Sequence, residues 1–92
     1  MAIIYKTNIQ SEADFLAFKT DIRSEADLSV FWSQDRFDAQ ESMIWYPTEI
    51  ETEAQKKVFM TTFKSEADLV IFECEYKHEA EWLNSSKEGL MY

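Results

Sequence analysis

The sequence predicts a mainly β domain built from six strand-turn repeats of about 13 residues, and three observations support this prediction. An alanine that directly follows an acidic residue recurs at intervals of 13, 13, 15, 13 and 13 residues. An aromatic residue lies eight positions before each alanine. The only glycine is Gly89, whereas tight hairpins usually require glycine or asparagine, so short helical turns must connect the strands. The alanines are Ala13, Ala26, Ala39, Ala54, Ala67 and Ala80.

The first half of each repeat has the composition of a β-strand. Aromatic, β-branched and threonine residues are enriched over about seven positions, which favours a strand. The positions eight, six and four before the alanine have the same parity, so they share one strand face, which we expect to form the core. An alternative is a single amphipathic helix from Glu66 to Leu83, but the consecutive Val70, Ile71 and Phe72 favour a strand.

The predicted core consists of residues that occupy equivalent positions in the repeats. The aromatic position, eight before the alanine, holds Tyr5, Phe18, Phe31, Tyr46, Phe59 and Phe72. The hydroxyl position, six before the alanine, holds Thr7, Thr20, Ser33, Thr48, Thr61 and Cys74. The position four before it holds Ile9, Ile22, Asp35, Ile50, Phe63 and Tyr76. The predicted repeat core comprises the six aromatic residues, the six alanines and Trp82, which closes the last repeat.

The second half of each repeat predicts one short helical turn. In four repeats a hydroxyl residue directly precedes an acid, and these hydroxyl residues are Ser11, Ser24, Thr52 and Ser65. A hydroxyl oxygen that accepts a free backbone N–H, followed by an acid at the positive end, is typical of a helix start. We therefore expect these hydroxyls to cap the turns, and we expect the corners to be solvated and without a functional role.

The repeats themselves are duplicated as two groups of three. Residues 41 apart match closely, as in Tyr5 with Tyr46 and Phe18 with Phe59, and the extra Ser42 and Met43 fall at the junction. We expect two passes of three units related by an approximate two-fold axis, which a simple solenoid would not need. The chain is predicted to be one domain over 1–92, with repeats at about 3–14, 15–27, 28–40, 44–55, 56–68 and 69–82 and a tail at 83–92.

The six repeats, with Trp45-Tyr46 opening the second pass and Glu79 to Trp82 closing the last unit, resemble the bacterial 7(1) septoil knot domain family, a domain of unknown function. The resemblance covers about residues 2 to 83. It implies a chain wound twice around itself into a deeply knotted, seven-crossing torus. Two departures are the sequence 37–40 in place of SEAD, and Pro47, which is expected to interrupt the fourth strand. The family implies no activity and no catalytic residues.

The composition restricts the classes of partner. Eighteen acidic and nine basic residues leave a net charge of −9, which repels nucleic acid and anionic membranes. The aromatic content, 15%, argues against a disordered acidic segment. One cysteine cannot form an internal disulfide, and the N-terminal sequence lacks the pattern of a signal peptide. We therefore expect a cytoplasmic monomer.

The sequence argues against catalysis and against a bound metal or cofactor. His78 is the only histidine, and a site with one imidazole and otherwise only carboxylates would bind a transition metal weakly. Cys74 takes the place of a threonine within a strand, and no third group is evident to orient a Cys74–His78 pair. No glycine-rich phosphate loop is present. We predict no catalytic, metal-binding or cofactor-binding residues.

The most informative functional feature of the sequence is the acidic charge. It predicts a non-enzymatic interaction module whose partner is a basic protein. One alternative is a rigid, protease-resistant structural domain without a specific ligand, in which the charge only keeps the protein in solution. A second alternative is an inhibitor that imitates nucleic acid toward a basic protein.

Overall fold

The structure, a computed structural model, describes residues 2–92 and confirms the alternation of strands and turns. The strands are β1 Ile3–Lys6, β2 Phe15–Lys19, β3 Leu28–Trp32, β4 Ile44–Pro47, β5 Lys56–Met60, β6 Leu69–Glu73 and β7 Glu81–Trp82. Six three-residue 3-10 turns, hereafter the corner turns, are Gln10–Glu12, Arg23–Glu25, Arg36–Asp38, Glu51–Glu53, Lys64–Glu66 and Lys77–Glu79. A longer 3-10 segment, Ser85–Met91, follows β7.

The first six strands form a closed parallel sheet. Their order is β4-β1-β5-β2-β6-β3, and a further pairing of β3 with β4 closes the ring. Each strand of the first pass therefore lies between two strands of the second pass, and no two strands of the same pass are paired. The short β7 pairs antiparallel with the start of β3. This arrangement confirms the two interleaved passes and excludes a solenoid whose units touch only their sequence neighbours.

The strand register is the same at every step around the barrel. Counted from the alanine of each unit, each strand is shifted by two residues relative to the next. Ile4, nine residues before its alanine, lies opposite Lys56, eleven before its own; Leu28, eleven before, lies opposite Ile71, nine before. Six shifts of two residues give a shear of 12, so the strands are tilted steeply against the barrel axis. From the strand spacing and the rise per residue, equivalent Cα atoms of neighbouring units lie about 8 Å apart.

The barrel interior is formed by positions nine and eleven before the alanine, so the predicted core face is wrong. The fully buried apolar strand residues are Ile4, Phe15, Ala17, Leu28, Val30, Trp45, Val58, Leu69 and Ile71. All six aromatic residues of the predicted core, from Tyr5 to Phe72, are only half-buried and have the opposite parity. A six-stranded barrel has no room for six rings in one interior layer. Its layer at position nine instead combines Trp45 with residues as small as Ala17.

The alanines and Trp82 of the predicted core divide into two groups. Ala26 and Ala39 are buried, at 7% and 0% exposure. Ala13, Ala54, Ala67 and Ala80 are half-buried, although all six alanines directly follow a corner turn. Trp82 is half-buried and packs against the core from β7. Pro47, expected to interrupt a strand, is instead the last residue of β4, where its missing N–H removes no bond from the middle of the ladder.

The hydroxyl position turns the chain at the end of each strand. In five units its oxygen accepts the backbone N–H two residues later at 3.0–3.1 Å. The predicted caps are therefore wrong: Ser11, Ser24, Thr52 and Ser65 lie inside the corner turns, and their turns have no side-chain cap. The residues that contribute the turning oxygen are Thr7, Thr20, Ser33, Thr48 and Thr61.

In units 1, 2 and 5 the aspartate after the alanine holds the unit to the opposite pass. The N–H of Asp27 donates to the Val70 carbonyl at 2.7 Å, and the Asp27 carboxylate accepts the Val70 N–H at 2.9 Å. Asp14 bonds the backbone of Lys57 in the same two-point way, as does Asp68 that of Leu16. At the start of the ladder of hydrogen bonds between two strands, the aspartate carboxylate thus accepts a backbone N–H in place of a strand carbonyl. Gln55 forms the equivalent pair of bonds with Ile3.

Loss of this two-point contact is expected to destabilise the domain. Asp27→Ala leaves the Val70 N–H without its acceptor, and we expect a loss of about 1–3 kcal/mol in the free energy of unfolding. Denaturant titration measures it. Asp21→Ala, which removes an exposed carboxylate without an ion-pair partner, is the matched control and is expected to change stability by less than about 0.5 kcal/mol. Equal losses in the two variants would contradict the structural role of Asp27.

The junction and the C-terminal segment cover the end of the barrel at which the strands begin, hereafter the amino pole. Trp45 Nε1 donates to the Ser42 carbonyl and Trp82 Nε1 donates to Ser42 Oγ, both at 2.8 Å. Met91 is buried in the core cluster. Ser42, one of the two extra residues of the junction, therefore anchors an indole from each end of the second pass. The opposite end of the barrel, hereafter the carboxyl pole, is not covered in this way.

Candidate interaction surface at the carboxyl pole

Large apolar side chains are exposed in every unit where the chain leaves the carboxyl pole. The position four before the alanine directly precedes each corner turn, with an extended backbone near φ −114° and ψ 107° in Ile9. We call the following six residues the crown: Ile9 (53% exposed), Ile22 (54%), Phe37 (73%), Ile50 (54%), Phe63 (64%) and Tyr76 (59%). In the third unit Asp35 occupies this position and caps the turn by accepting the Phe37 N–H, so Phe37 supplies the apolar group.

The prediction that the position four before the alanine belongs to the core is wrong, because its apolar side chains are exposed. Parity predicts that this position shares a face with the strand, but the hydroxyl turn two residues earlier redirects the backbone, so the side chain faces solvent. The sequence does contain a signal for this surface. An apolar residue recurs immediately before the predicted helical turns, where solvated residues are expected. Around the barrel the crown follows the strand order, with Ile50, Ile9 and Phe63 on three consecutive units.

Free carboxylates lie beside the crown residues. Among residues 2–92, seven carboxylates have neither an ion-pair partner within 4 Å nor a side-chain hydrogen bond: Glu12, Asp21, Glu41, Glu49, Glu66, Glu75 and Glu79. Six of these seven lie one residue before or three residues after a crown residue. Every crown residue except Phe37 is therefore close in sequence to at least one carboxylate that has no ion-pair partner.

Ion pairs connect the corner turns of neighbouring units, except around the first unit. Lys64 of unit 5 pairs with Glu25 of unit 2 at 3.7 Å, and Lys77 of unit 6 pairs with Asp38 of unit 3 at 3.1 Å. An equivalent pair joins units 3 and 4, whereas the cation of the unit 2 turn pairs with an acid of β7, after the unit 6 turn. Hydrogen bonds from Lys77 and Ser33 hold the pKa of Asp38 below its ordinary value. Such exposed pairs contribute little stability individually, so their main effect is to neutralise charge locally.

Interior-facing side chains fill the carboxyl end of the barrel itself. Trp32 Nε1 donates to Glu73 Oε2 at 2.7 Å, and Lys19 pairs with the same carboxylate at 3.4 Å. The Lys6 ammonium lies 4.4 Å from the centre of the Trp32 ring. In larger parallel barrels ligands bind at this end. Here these four side chains contact one another through a hydrogen bond, an ion pair and a cation–π contact, so the apolar surface exposed at this pole is the crown.

Cys74 and His78 lie on the same unit but are not hydrogen-bonded to each other. The half-buried Cys74 thiol donates to the Val30 carbonyl at 3.3 Å and lies 3.4 Å from the Tyr76 carbonyl. The exposed His78 ring stacks on Tyr76, with 5.7 Å between ring centres. Within residues 2–92 no group of three or more His, Cys, Asp or Glu side chains is arranged to hold a metal ion.

Both residues are expected to be dispensable for folding. Cys74→Thr places a hydroxyl where the other units have one, and His78→Ser restores the residue found at that position in other units. We expect the free energy of unfolding of each variant to stay within about 0.5 kcal/mol of the original, as measured by denaturant titration. A larger loss in either variant would assign that side chain a structural role that the repeat does not require.

The comparisons with known proteins identify a family. Among residues 2–92, no helix is both long and apolar enough to cross a membrane. Neither the curated proteins nor the solved structures contain a match to the chain. The family model described as 7(1) septoil knot domain matches residues 1–83, so the C-terminal segment that holds Met91 lies outside the match. Because the match covers most of the sequence, the chain belongs to the 7(1) septoil knot domain family.

Proposed function

We propose that this domain is a non-enzymatic interaction module that binds a basic protein at its carboxyl pole. The observation that supports the proposal is the crown, in which six large apolar side chains are each more than half exposed at equivalent places around the barrel. Single exposed apolar residues are ordinary, whereas a repeated set at one end of a molecule is typical of a contact surface. The closed barrel presents these side chains on a rigid frame, which reduces the entropy lost on binding.

The charge determines which partner suits this surface. Six free carboxylates border the crown, and they favour a basic partner through faster association and through selection against acidic proteins. The same net charge of −9 opposes association between two copies, so we propose that the free domain is a monomer, acting in the cytoplasm. Imitation of nucleic acid is the less favoured variant, because it would use the carboxylates without the apolar crown.

A rigid structural domain is the second candidate. It is favoured by the complete pairing of the interior, since no buried side-chain nitrogen or oxygen among residues 2–92 lacks a hydrogen-bond partner. The two candidates differ in what they require of the crown. A structural domain gains nothing from exposed rings such as Phe37 and Phe63, whereas an interaction module requires them.

Affinity capture with crown variants tests the proposal. The immobilised domain is exposed to lysate at about 50 mM and 500 mM salt, beside a variant in which serine replaces all six crown residues. We expect a basic protein that binds the original domain, is released by salt and is not retained by the variant. The same proteins on both surfaces, or only acidic proteins, would contradict the proposal. Thermal unfolding of the variant confirms that its fold is intact.

A further inference from the structure

We infer that a basic amphipathic helix docks on one arc of the crown, formed by Ile50, Ile9 and Phe63 of units 4, 1 and 5. We call these three residues the open arc. The inference rests on the proposed function and specifies the site and the kind of partner. It is carried by an irregularity in the ion pairs: such pairs connect the turns on either side, but none joins the turn of unit 1 to that of unit 4 or unit 5, so the middle of this arc lacks the cation found in the other turns.

The irregularity results from the first residue of the corner turns. Four turns begin with Arg23, Arg36, Lys64 or Lys77, and each of these cations pairs with an acid of the next unit around the barrel. The turn of unit 1 begins with Gln10, which has no charge. Unit 1 therefore forms no such pair with unit 5. The turn of unit 4 begins with an acid, so it forms no such pair with unit 1.

The charges that remain on the open arc are negative. Glu49 lies directly before Ile50, while Glu12 and Glu66 each follow their crown residue by three positions, and none of the three has an ion-pair partner.

Two lysines lie on or beside the open arc, and both are already engaged. Lys64, directly after Phe63, pairs with Glu25 of unit 2 at 3.7 Å, outside the arc. The other is Lys57. It pairs with Glu51 at 2.7 Å, and this contact, followed by the charges of Glu12 and Asp14, raises the pKa of Lys57. Several carboxylates thus share one ammonium, which leaves the arc electronegative.

The dimensions of the open arc suit a short helix. With about 8 Å between equivalent Cα atoms of neighbouring units on a closed six-membered ring, the first and third units of the arc lie about 14 Å apart, the length of about two and a half helical turns. An apolar stripe on such a helix contacts the three side chains, and lysine or arginine on both borders of the stripe reaches the free carboxylates. A second copy of the domain is a poor occupant, because it would bring a second charge of −9 against these carboxylates.

The test uses a fluorescent 18-residue leucine-lysine amphipathic peptide as the probe, with fluorescence anisotropy as the readout. The variant Ile9→Ser, Ile50→Ser, Phe63→Ser removes the open arc. The matched control Ile22→Ser, Phe37→Ser, Tyr76→Ser removes the other three crown residues, which are at least half exposed and also border three free carboxylates, but whose turns each begin with an ion-paired cation. We expect the open-arc variant to weaken binding at least tenfold and the control to weaken it less than threefold.

A single charge substitution tests the same inference without removing apolar surface. Gln10→Arg supplies the missing cation, which by the pattern of the other units pairs with Glu66. We expect it to weaken the binding of the peptide about three- to tenfold, whereas Ser11→Arg, one residue further into the same exposed turn, is expected to have a smaller effect. Unchanged binding in Gln10→Arg would contradict the inference.

The remaining outcomes separate the inference from the proposed function. If the peptide binds the original domain but the two triple variants lose equal affinity, the open arc is not the site, while the crown retains its proposed function. If a lysine-only peptide binds as tightly as the amphipathic one, the apolar arc contributes nothing and the inference fails. If no basic peptide binds at low salt, the proposed basic partner fails as well.

Discussion

Replacing Trp45 with alanine is expected to reduce the free energy of unfolding by about 3–5 kcal/mol. The side chain is fully buried in the barrel, and its ring makes edge contacts with Trp32 and Phe15 at 5.3 and 6.3 Å between ring centres. Its Nε1 donates to the Ser42 carbonyl, so the substitution leaves both a cavity and a buried acceptor that has lost its donor. Equilibrium denaturation followed by circular dichroism measures the loss.

Phe59→Ala is the matched control for this prediction, because Phe59 belongs to the half-buried aromatic position on the outer face of the strands. We expect it to cost about 1–2 kcal/mol, since less apolar area leaves water there on folding. Trp45→Phe retains most of the buried volume and should fall between the two. If Phe59→Ala lowers the free energy of unfolding as much as Trp45→Ala, the aromatic position belongs to the core, and the assignment of positions nine and eleven to the interior is wrong.

The second large effect is expected in the unfolding rate. Because the strands of the two passes alternate around a closed barrel, a chain end must be withdrawn through the structure before the passes separate. We expect an unfolding rate in water on the order of 10⁻⁶ per second or slower, at the slow end for small domains. Most contacts join residues far apart in sequence, so refolding is expected to be slow as well. Stopped-flow and manual-mixing denaturant jumps measure both rates.

Cleavage of the chain distinguishes slow unfolding caused by threading from slow unfolding caused by stability alone. A protease site inserted in the exposed corner turn Glu51–Glu53 allows the folded domain to be cut where few interior contacts are lost. Cleavage creates new chain ends near the middle of the sequence, so a shorter length of chain has to be withdrawn, and we expect unfolding at least tenfold faster. The same protein before cleavage is the control. Equal rates before and after cleavage would show that withdrawal of a chain end does not limit unfolding.

The sequence predicted the repeat, its two passes and the alternation of strands and turns because each depends on spacing alone. The 41-residue match of Tyr5 with Tyr46 is sufficient to predict that the passes are equivalent. It does not determine which face of the strand is inside. Both parities are apolar in these parallel strands, as in the consecutive Val70, Ile71 and Phe72, because the outer face is half-buried rather than fully solvated.

The roles of the polar residues were less predictable, since they depend on contacts between passes. Asp27 appears in the sequence as a solvated acid, but its bonds to Val70 form only when a strand 43 residues away lies beside it. Ser24 has the sequence context of a cap, yet Thr20 already accepts the N–H that precedes the turn. The crown was difficult to predict as well. The exposure of Ile22, for example, depends on the turn that Thr20 makes by accepting the Ile22 N–H.

The interleaving of the two passes is tested most directly by NMR scalar couplings across backbone hydrogen bonds. In every unit the N–H at the hydroxyl position donates to a carbonyl of the other pass: Thr7 to Val58, Thr20 to Ile71, Ser33 to Trp45, Thr48 to Ile4, Thr61 to Ala17 and Cys74 to Val30. We expect couplings between these six nitrogen–carbonyl pairs. Couplings from Thr20 to a carbonyl of unit 1 or unit 3, or from Thr61 to a carbonyl of unit 4 or unit 6, would place strands of one pass side by side and contradict the double winding.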